Sequence, residues 1–346
     1  MIKGLGLSLP NRGVLFGATT VGQLQRMVDV ADSSGMFHSV WVGDGLIAKP
    51  RVEAVTFLAT LAGRTQAVRL GVCCLATFPL RNPVLFACQW ASLDVLSDGR
   101  ALLAVCLGAP TGRGGGDFAA ELEAMGIRGN ERVGRLEEGI EVLRLLWRER
   151  GGYQGRYWSF PEIDLQPKPL QQPCPIWIAS NPNPEKLSPD RYAAAIDRVG
   201  RLADGWQSTV VTPQEFGRRW NEIREAARRH DRDPDTMTSS AHLMINLNDD
   251  VESARADAKH FLDDYYTTDV KPATMDAWGA YGSVEMVVKR IQEYISNGLE
   301  LPVLRFATFE QEAQLQVAMD ELVPQLLATR QPQLEAQLPQ SGRRNG

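Results

Sequence analysis

Four places along the chain set chemically able residues at the end of an apolar run. Asp44 closes SVWVGD, Cys73 and Cys74 sit inside VRLGVCCLATFPLRNP (68–83), Cys106 and Gly108 close ALLAVCLG, and Ser180 with Asn181 lies in IASNPNP. An apolar run that breaks into a proline-punctuated loop and then a new helix marks the functional strand ends of α/β barrels. A carboxylate in a partly dry mouth can hydrogen-bond a ligand, position a substrate or shuttle a proton once its pKa is raised. Small side chains such as those of CLGA admit the close approach of a flat group. The hydroxyl, amide and turn N–H groups around Ser180 and Asn181 suit an anion.

Each feature has a plainer reading beside it. Asp44 also fits a loop cap, Cys73 and Cys74 fit two small residues buried in a core strand, and CLGA fits simple tight packing. SNPNP fits an ordinary turn, in which Pro182 and Pro184 remove two backbone donors; Arg198 and Arg201 on the next helix either supply charge there or lie on a solvated face. Gln207, Ser208, Thr209 and Arg305 end or line strands that face the same mouth, with no individual roles assigned. His242 reads as a core histidine rather than a catalytic base. Gly112 to Gly116 has neither P-loop nor dinucleotide spacing and reads as a flexible lid.

The elements that must position these residues alternate. Short apolar runs bounded by turn residues predict strands at 4–9, 39–43, 68–75, 101–107, 175–180, 203–209, 240–247 and 302–307. Periodicity and caps predict helices at 20–34, 51–64, 83–96, 118–125, 131–148, 189–202, 213–230, 249–266, 283–297 and 310–327, with a hairpin excursion through Tyr153, Tyr157 and Phe160. Eight strand–helix units, the first four with near-continuous apolar strands, predict a (β/α)8 TIM barrel with insertions at the C-terminal mouth. A doubly wound sheet is disfavoured because LSLPNRG lacks a GxGxxG turn after the first strand. We read one domain over 1–330, an insertion at about 247–281, and a disordered Gln-, Pro- and Arg-rich tail at 331–346.

Composition closes off other classes. With 346 residues, 44% apolar and 23% charged, the chain can bury a substantial core; its net charge of −5 with interspersed signs leaves no basic stripe for nucleic acid or an anionic membrane. MIKGLGLSLP reads as a short strand rather than a leader, and no run reaches 18 apolar residues, so a cytoplasmic protein is expected. Five cysteines, mostly in apolar runs, predict reduced buried thiols, and four histidines without zinc spacing predict no metal site.

The segments SVWVGDGL, LGVCCLATFPLRNPVLFACQWASLDVLSDGR, ERVGRLEEGIEVLRLLW, PIWIAS and RLADGW, in this order, resemble the bacterial luciferase-like monooxygenase superfamily over about residues 1–328. The resemblance implies a barrel that binds reduced FMN, or in a sister branch a deazaflavin coenzyme of the F-420 type, in its mouth. It places a non-prolyl cis peptide at Cys73–Cys74 beneath the ring, Cys106 and Gly108 beside it, and a phosphate-binding turn at Ser180 and Asn181. Asp44 becomes the catalytic candidate, although Gly45 follows it where many relatives place a histidine. The expected function is a flavin-dependent oxidoreductase, a monooxygenase using reduced FMN and O2 on a small organic substrate with a separate flavin reductase. The alternatives are a deazaflavin-dependent dehydrogenase or reductase, and a non-catalytic flavin-binding barrel. A homodimer is also implied; the Trp90-bearing helix offers an apolar surface for it, or else packs on the barrel.

Overall fold

Strands buried on both faces need neighbours on both edges, and here they find them by closing into a ring. The computed structural model describes residues 2–109 and 116–328. The expected lid, apart from Gly116, and the expected disordered tail lie outside the described residues. The strands are β1 (Gly6–Leu9), β2 (Ser39–Val42), β3 (Arg69–Leu75), β4 (Ala101–Val105), the hairpin β5 (Gly151–Gln154) and β6 (Ser159–Ile163), then β7 (Ile176–Ala179), β8 (Gly205–Ser208), β9 (Thr238–Leu247), β10 (Gly279–Gly282) and β11 (Leu301–Phe306). Hydrogen bonding runs β9–β11–β1–β2–β3–β4–β7–β8, and Gly205 to Ser208 pairs with Thr238 to Ala241 to close the circle. The ring is the parallel eight-stranded TIM barrel.

Around it lie α1 (Val21–Ser34), α2 (Ala54–Ala62), α3 (Pro83–Leu96), α4 (Phe118–Ala124), α5 (Arg132–Arg148), α6 (Pro189–Leu202), α7 (Pro213–Arg229), α8 (Val251–Tyr266), α9 (Pro272–Asp276) and α10 (Val284–Ser296). Local chemistry sets their starts. Thr20 and Gln23 form a capping box before α1, Thr212 and Glu215 form another before α7 with Pro213 in the first turn, and Asn82 caps α3 ahead of Pro83. Gly35 ends α1 at φ 65°, a left-handed conformation that glycine adopts without penalty. The closing helix, expected as one piece, is interrupted: α11 (Gln311–Val317) passes through a π-turn at Ala318–Leu322 into α12 (Val323–Ala328). Pro324 has no N–H to donate back along the helix, and the wider turn accommodates that loss.

The ten-residue β9 is longer than its neighbours. Its first half pairs with β8, and its second half, Met244 to Leu247, pairs with β10 instead. β10 therefore covers an edge that β8 is too short to reach. The segment between β9 and β10 also supplies α8 and α9, and the carboxyl end of α8 reaches the strand tips, where Arg305 lies over the Tyr265 ring.

Inside the ring, Trp41 and Trp177 lie with centroids 5.7 Å apart, packed with Leu102, Ala104, Leu301 and Val303. Both indoles sit against glycine backbone. A Cβ on Gly71 would come within 2.6 Å of Trp41, and one on Gly205 within 2.7 Å of Trp177. On the helix that carries Trp90, the indole itself is fully buried in barrel packing, and the exposed apolar residues of α3 include Leu85 and Leu96. No helix among the described residues is long and apolar enough to cross a membrane.

Candidate active site

The carboxyl ends of the strands bring the sequence candidates to one face. Asp44, just past β2, has a side chain only 2% exposed. Its Oδ2 accepts from the Thr77 backbone N–H (2.8 Å) and hydroxyl (2.7 Å), and its Oδ1 accepts from Arg81 Nη2 at 3.2 Å. Arg81 also reaches Glu53 Oε1 at 2.8 Å. Asp44 thus ties the β2 tip to the loop after β3, with both oxygens engaged.

At the β3 tip the register against β4 breaks between Val72 and Leu75, and the Cys73–Cys74 peptide is cis, as the resemblance implied. The Cys73 thiol lies 3.5 Å from Ser8 Oγ, and burial pushes its pKa up. Cys74 does not stay reduced as expected: it forms a disulfide with Cys106. The two residues sit on adjoining strand tips with Cα atoms 6.0 Å apart, within bonding range for cystine. Cys73, Cys88 and Cys174 remain free thiols. Gly108 takes φ 69°, and Arg132 Nη1 donates to the carbonyls of Leu107 (2.9 Å) and Ala109 (2.8 Å) on either side of it.

Ser180 and Asn181 meet the tip of β8. The Ser180 N–H donates to Gln207 O at 3.2 Å, and Trp206 Nε1 donates to Ser180 O at 2.8 Å, which keeps the two strand tips side by side. Asn181 Oδ1 accepts from Arg219 Nη1, a guanidinium whose side chain is 2% exposed. Arg198 and Arg201, the sequence candidates for charge at this turn, point elsewhere and pair with Glu137 at 2.7 and 2.9 Å. Sequence reasoning missed Arg219, although it falls on the apolar stripe of α7 with Phe216, Trp220 and Ile223, where an arginine is out of pattern. Around this turn Gln207 Nε2, Ser208 Oγ, Thr209 Oγ1 and Arg219 Nε are buried with no hydrogen-bond partner. Buried donors without partners are rare, and such a group of them suits an anionic, oxygen-rich ligand such as a phosphate.

A second polar group lies where β1, β9 and β11 meet. Arg305 is 2% exposed and donates from Nε (3.2 Å) and Nη2 (2.8 Å) to Ser8 Oγ, and from Nη2 to Leu9 O at 2.9 Å. It stacks over the Tyr265 ring at 4.8 Å and has no carboxylate within 4.0 Å among the described residues. A buried cation without a counter-charge matches a ligand that carries negative charge over a flat ring. Both groups therefore fit a phosphorylated, ring-bearing cofactor of the flavin type.

His242 Nε2 lies 3.0 Å from Ser8 Oγ. Because Arg305 donates to that hydroxyl, its proton is free to go to the imidazole, which accepts it in the neutral form. Burial first, then the Arg305 charge, holds the His242 pKa well below its ordinary 6.5. The folded state thus binds fewer protons than the unfolded one, so this stability is present above the unfolded pKa and is lost as pH falls below about 6.5. His242→Gln is expected to flatten the decline in thermal midpoint between about pH 6.5 and 5 relative to the parent protein; parallel unfolding curves across that range check it.

The family model described as luciferase-like monooxygenase matches residues 5–301. The oxygenase component of a flavin-dependent trigonelline monooxygenase from Acinetobacter baylyi is 31% identical over 48% of this chain and 45% of its own length. A phthiodiolone/phenolphthiodiolone dimycocerosates ketoreductase from Mycobacterium tuberculosis is 30% identical over 71% of this chain and 64% of its own. The chain therefore spans about half to two thirds of the length of these curated relatives. In structure, monooxygenase RslO1 from Streptomyces bottropensis superposes with a TM-score of 0.75 at 21% identity, covering 93% of this chain and 99% of that one. With the barrel, the cis peptide and the family match in agreement, the chain belongs to the luciferase-like monooxygenase family of oxidoreductases.

Proposed function

We propose that this enzyme is a monooxygenase that oxidises a small organic substrate with O2, using reduced FMN supplied by a separate flavin reductase. The observation that carries the reading is the set of buried polar atoms without a partner at and beside the β8 tip, Gln207 Nε2, Ser208 Oγ, Thr209 Oγ1 and the Nε of Arg219, whose other nitrogens meet Asn181 and Glu215. With Ser180 and Asn181, these residues would hold the cofactor phosphate. The Cys73–Cys74 segment, Cys106 and Gly108 would line the ring, and Arg305 would offset its negative charge. Reduced FMN, when bound, supplies the electrons with which O2 is activated. Asp44 enters as a positioning residue, since it holds Thr77 and Arg81 and so fixes the rim between β2 and β3. The barrel mouth contributes position and exclusion of water.

A relative named as an oxygenase component supports the separate reductase. The ketoreductase relatives favour a second reading, carbonyl reduction, for which the deazaflavin coenzyme implied by the sequence resemblance would be the hydride donor. A homodimer belongs to the same proposal, supported by Leu85 and Leu96, which stand 60% and 63% exposed on α3. The discriminating experiment supplies reduced FMN or reduced deazaflavin to the protein with a panel of organic substrates. Oxygen consumption coupled to an oxygenated product with FMN is expected; turnover with the deazaflavin alone would replace the first reading by the second.

A further inference from the structure

The rim opposite the phosphate-type donors carries a different charge problem. β2 and β8 stand four strands apart in the ring of eight, on opposite sides of the mouth. Beyond β2 lie Lys49 and Arg51, and Arg12 reaches towards them from the loop after β1. Among the described residues none of the three has a carboxylate within 4.0 Å. The acids of this rim are engaged elsewhere: Asp44 by Thr77 and Arg81, Glu53 by Arg81 and the Thr56 N–H, and Glu121 Oε2 by the N–H groups of Leu46, Ile47 and Ala48 at 2.7 to 3.1 Å.

The cations meet carbonyls and aromatic rings instead. Arg12 Nη1 donates to Asp264 O (3.0 Å) and Tyr265 O (2.6 Å) at the end of α8, while its Nε is buried without a partner. Arg51 Nε donates to Lys49 O at 3.1 Å. Lys49 Nζ stands 4.7 Å from the Tyr266 ring centroid and 5.9 Å from that of Phe118. Glycines make the arrangement possible. A Cβ on Gly43 would run into the Arg51 guanidinium, and one on Gly45 would come within 2.7 Å of Lys49 O and 3.4 Å of Arg51 Nε. Burial first, then Arg51 and Arg12, pushes the Lys49 pKa down to about 8, the signature of like charges crowded in a partly dry place.

We propose that Lys49 and Arg51, with Arg12 behind them, form the subsite for an anionic group of the organic substrate, a carboxylate carried on a flat ring. The inference deepens the oxidoreductase reading above and rests on it. Lys49 and Arg51 contact the carboxylate; Arg12 adds charge while fastening the end of α8. Tyr266 and Phe118 supply the aromatic walls for the ring that bears it. Three cations crowded into this rim repel one another until an anion offsets them, and the same field rejects a cationic substrate.

Calorimetric titration of the full-length protein with benzoate, nicotinate and 2-naphthoate, each against its neutral amide, tests the subsite without turnover. At least one carboxylate is expected to bind about tenfold or more tightly than its amide. Lys49→Met and Arg51→Met are each expected to lose about tenfold of that affinity, with amide binding unchanged and Lys49→Arg largely retaining it. FMN affinity, read separately by fluorescence quenching, is expected to stay constant across all variants. Equal binding of acids and amides, or no binding of either, overturns the subsite. Loss of FMN affinity in the variants also overturns it, by assigning the cations to the cofactor. A wild-type protein that prefers the acids but binds no FMN sinks the cofactor reading and leaves the anion preference standing. Circular dichroism and thermal midpoints confirm that each variant is folded.

Discussion

Arg305→Met is expected to lose about 100-fold or more in affinity for reduced FMN while leaving the cofactor-free protein as stable as the parent, or more so. The two halves of this result come from one fact. Arg305 is a fully buried cation whose partners are a hydroxyl, a carbonyl and an aromatic face, none of them negative. Without an anion its burial costs the fold free energy; with one, that cost becomes attraction. Methionine keeps much of the volume and removes the charge. Ser8 keeps His242 as a partner, so little polar capacity is stranded. In anaerobic thermal unfolding, the parent should gain a cofactor-dependent shift that the variant lacks, because a ligand stabilises only the state it binds. An undiminished shift in Arg305→Met would remove Arg305 from the cofactor site. A large drop in cofactor-free stability would show the residue to be structural.

Gly71→Ala is expected to destabilise the fold by about 3 kcal/mol, at the upper end of the usual cost of overpacking. One methyl group is enough because the neighbour is not a flexible chain end. The new Cβ would meet Trp41 ring atoms within 2.6 Å, and Trp41 is held from the other side by Gly6, where a Cβ would come within 2.8 Å of its Nε1. The indole also donates to Ser39 Oγ at 2.8 Å and leans on Trp177. It has nowhere to move. Trp41→Phe in the same chain should recover part of the loss, since the smaller ring vacates the contested space. Gly63→Ala is the control: that glycine has φ −74° and open space around its Cβ position, so the change should be neutral or slightly stabilising. Thermal midpoints of the four proteins check the series, and a harmless Gly71→Ala would mean that the barrel interior repacks more freely than its geometry implies.

Much of the scaffold was legible because it is written in local pattern. All eight barrel strands fall within two residues of their expected bounds, since all but β8, whose sequence is GWQS, are mainly apolar runs stopped by turn residues. The Cys73–Cys74 segment stood out by resemblance, and its cis peptide is present. β10 escaped notice because GAYG has neither branched side chains nor alternation; it is a strand only because β9 outruns β8 and offers a bare edge. Glu121 looked like one more acid on a short helix, yet it satisfies three backbone donors over 70 positions away in the chain. The disulfide and the role of Arg219 likewise depend on which strand tips and helix faces the closed ring brings together. Spacing along the chain carries no record of such encounters.

The paired indoles at the centre of the barrel also decide how matter moves through it. They and their aliphatic neighbours fill the axis of the ring, so among the described residues they form a stopper between the underside and the strand tips. A ligand approaching along the barrel axis from the underside would have to displace both rings, so along that axis the open side is the one that carries the strand tips.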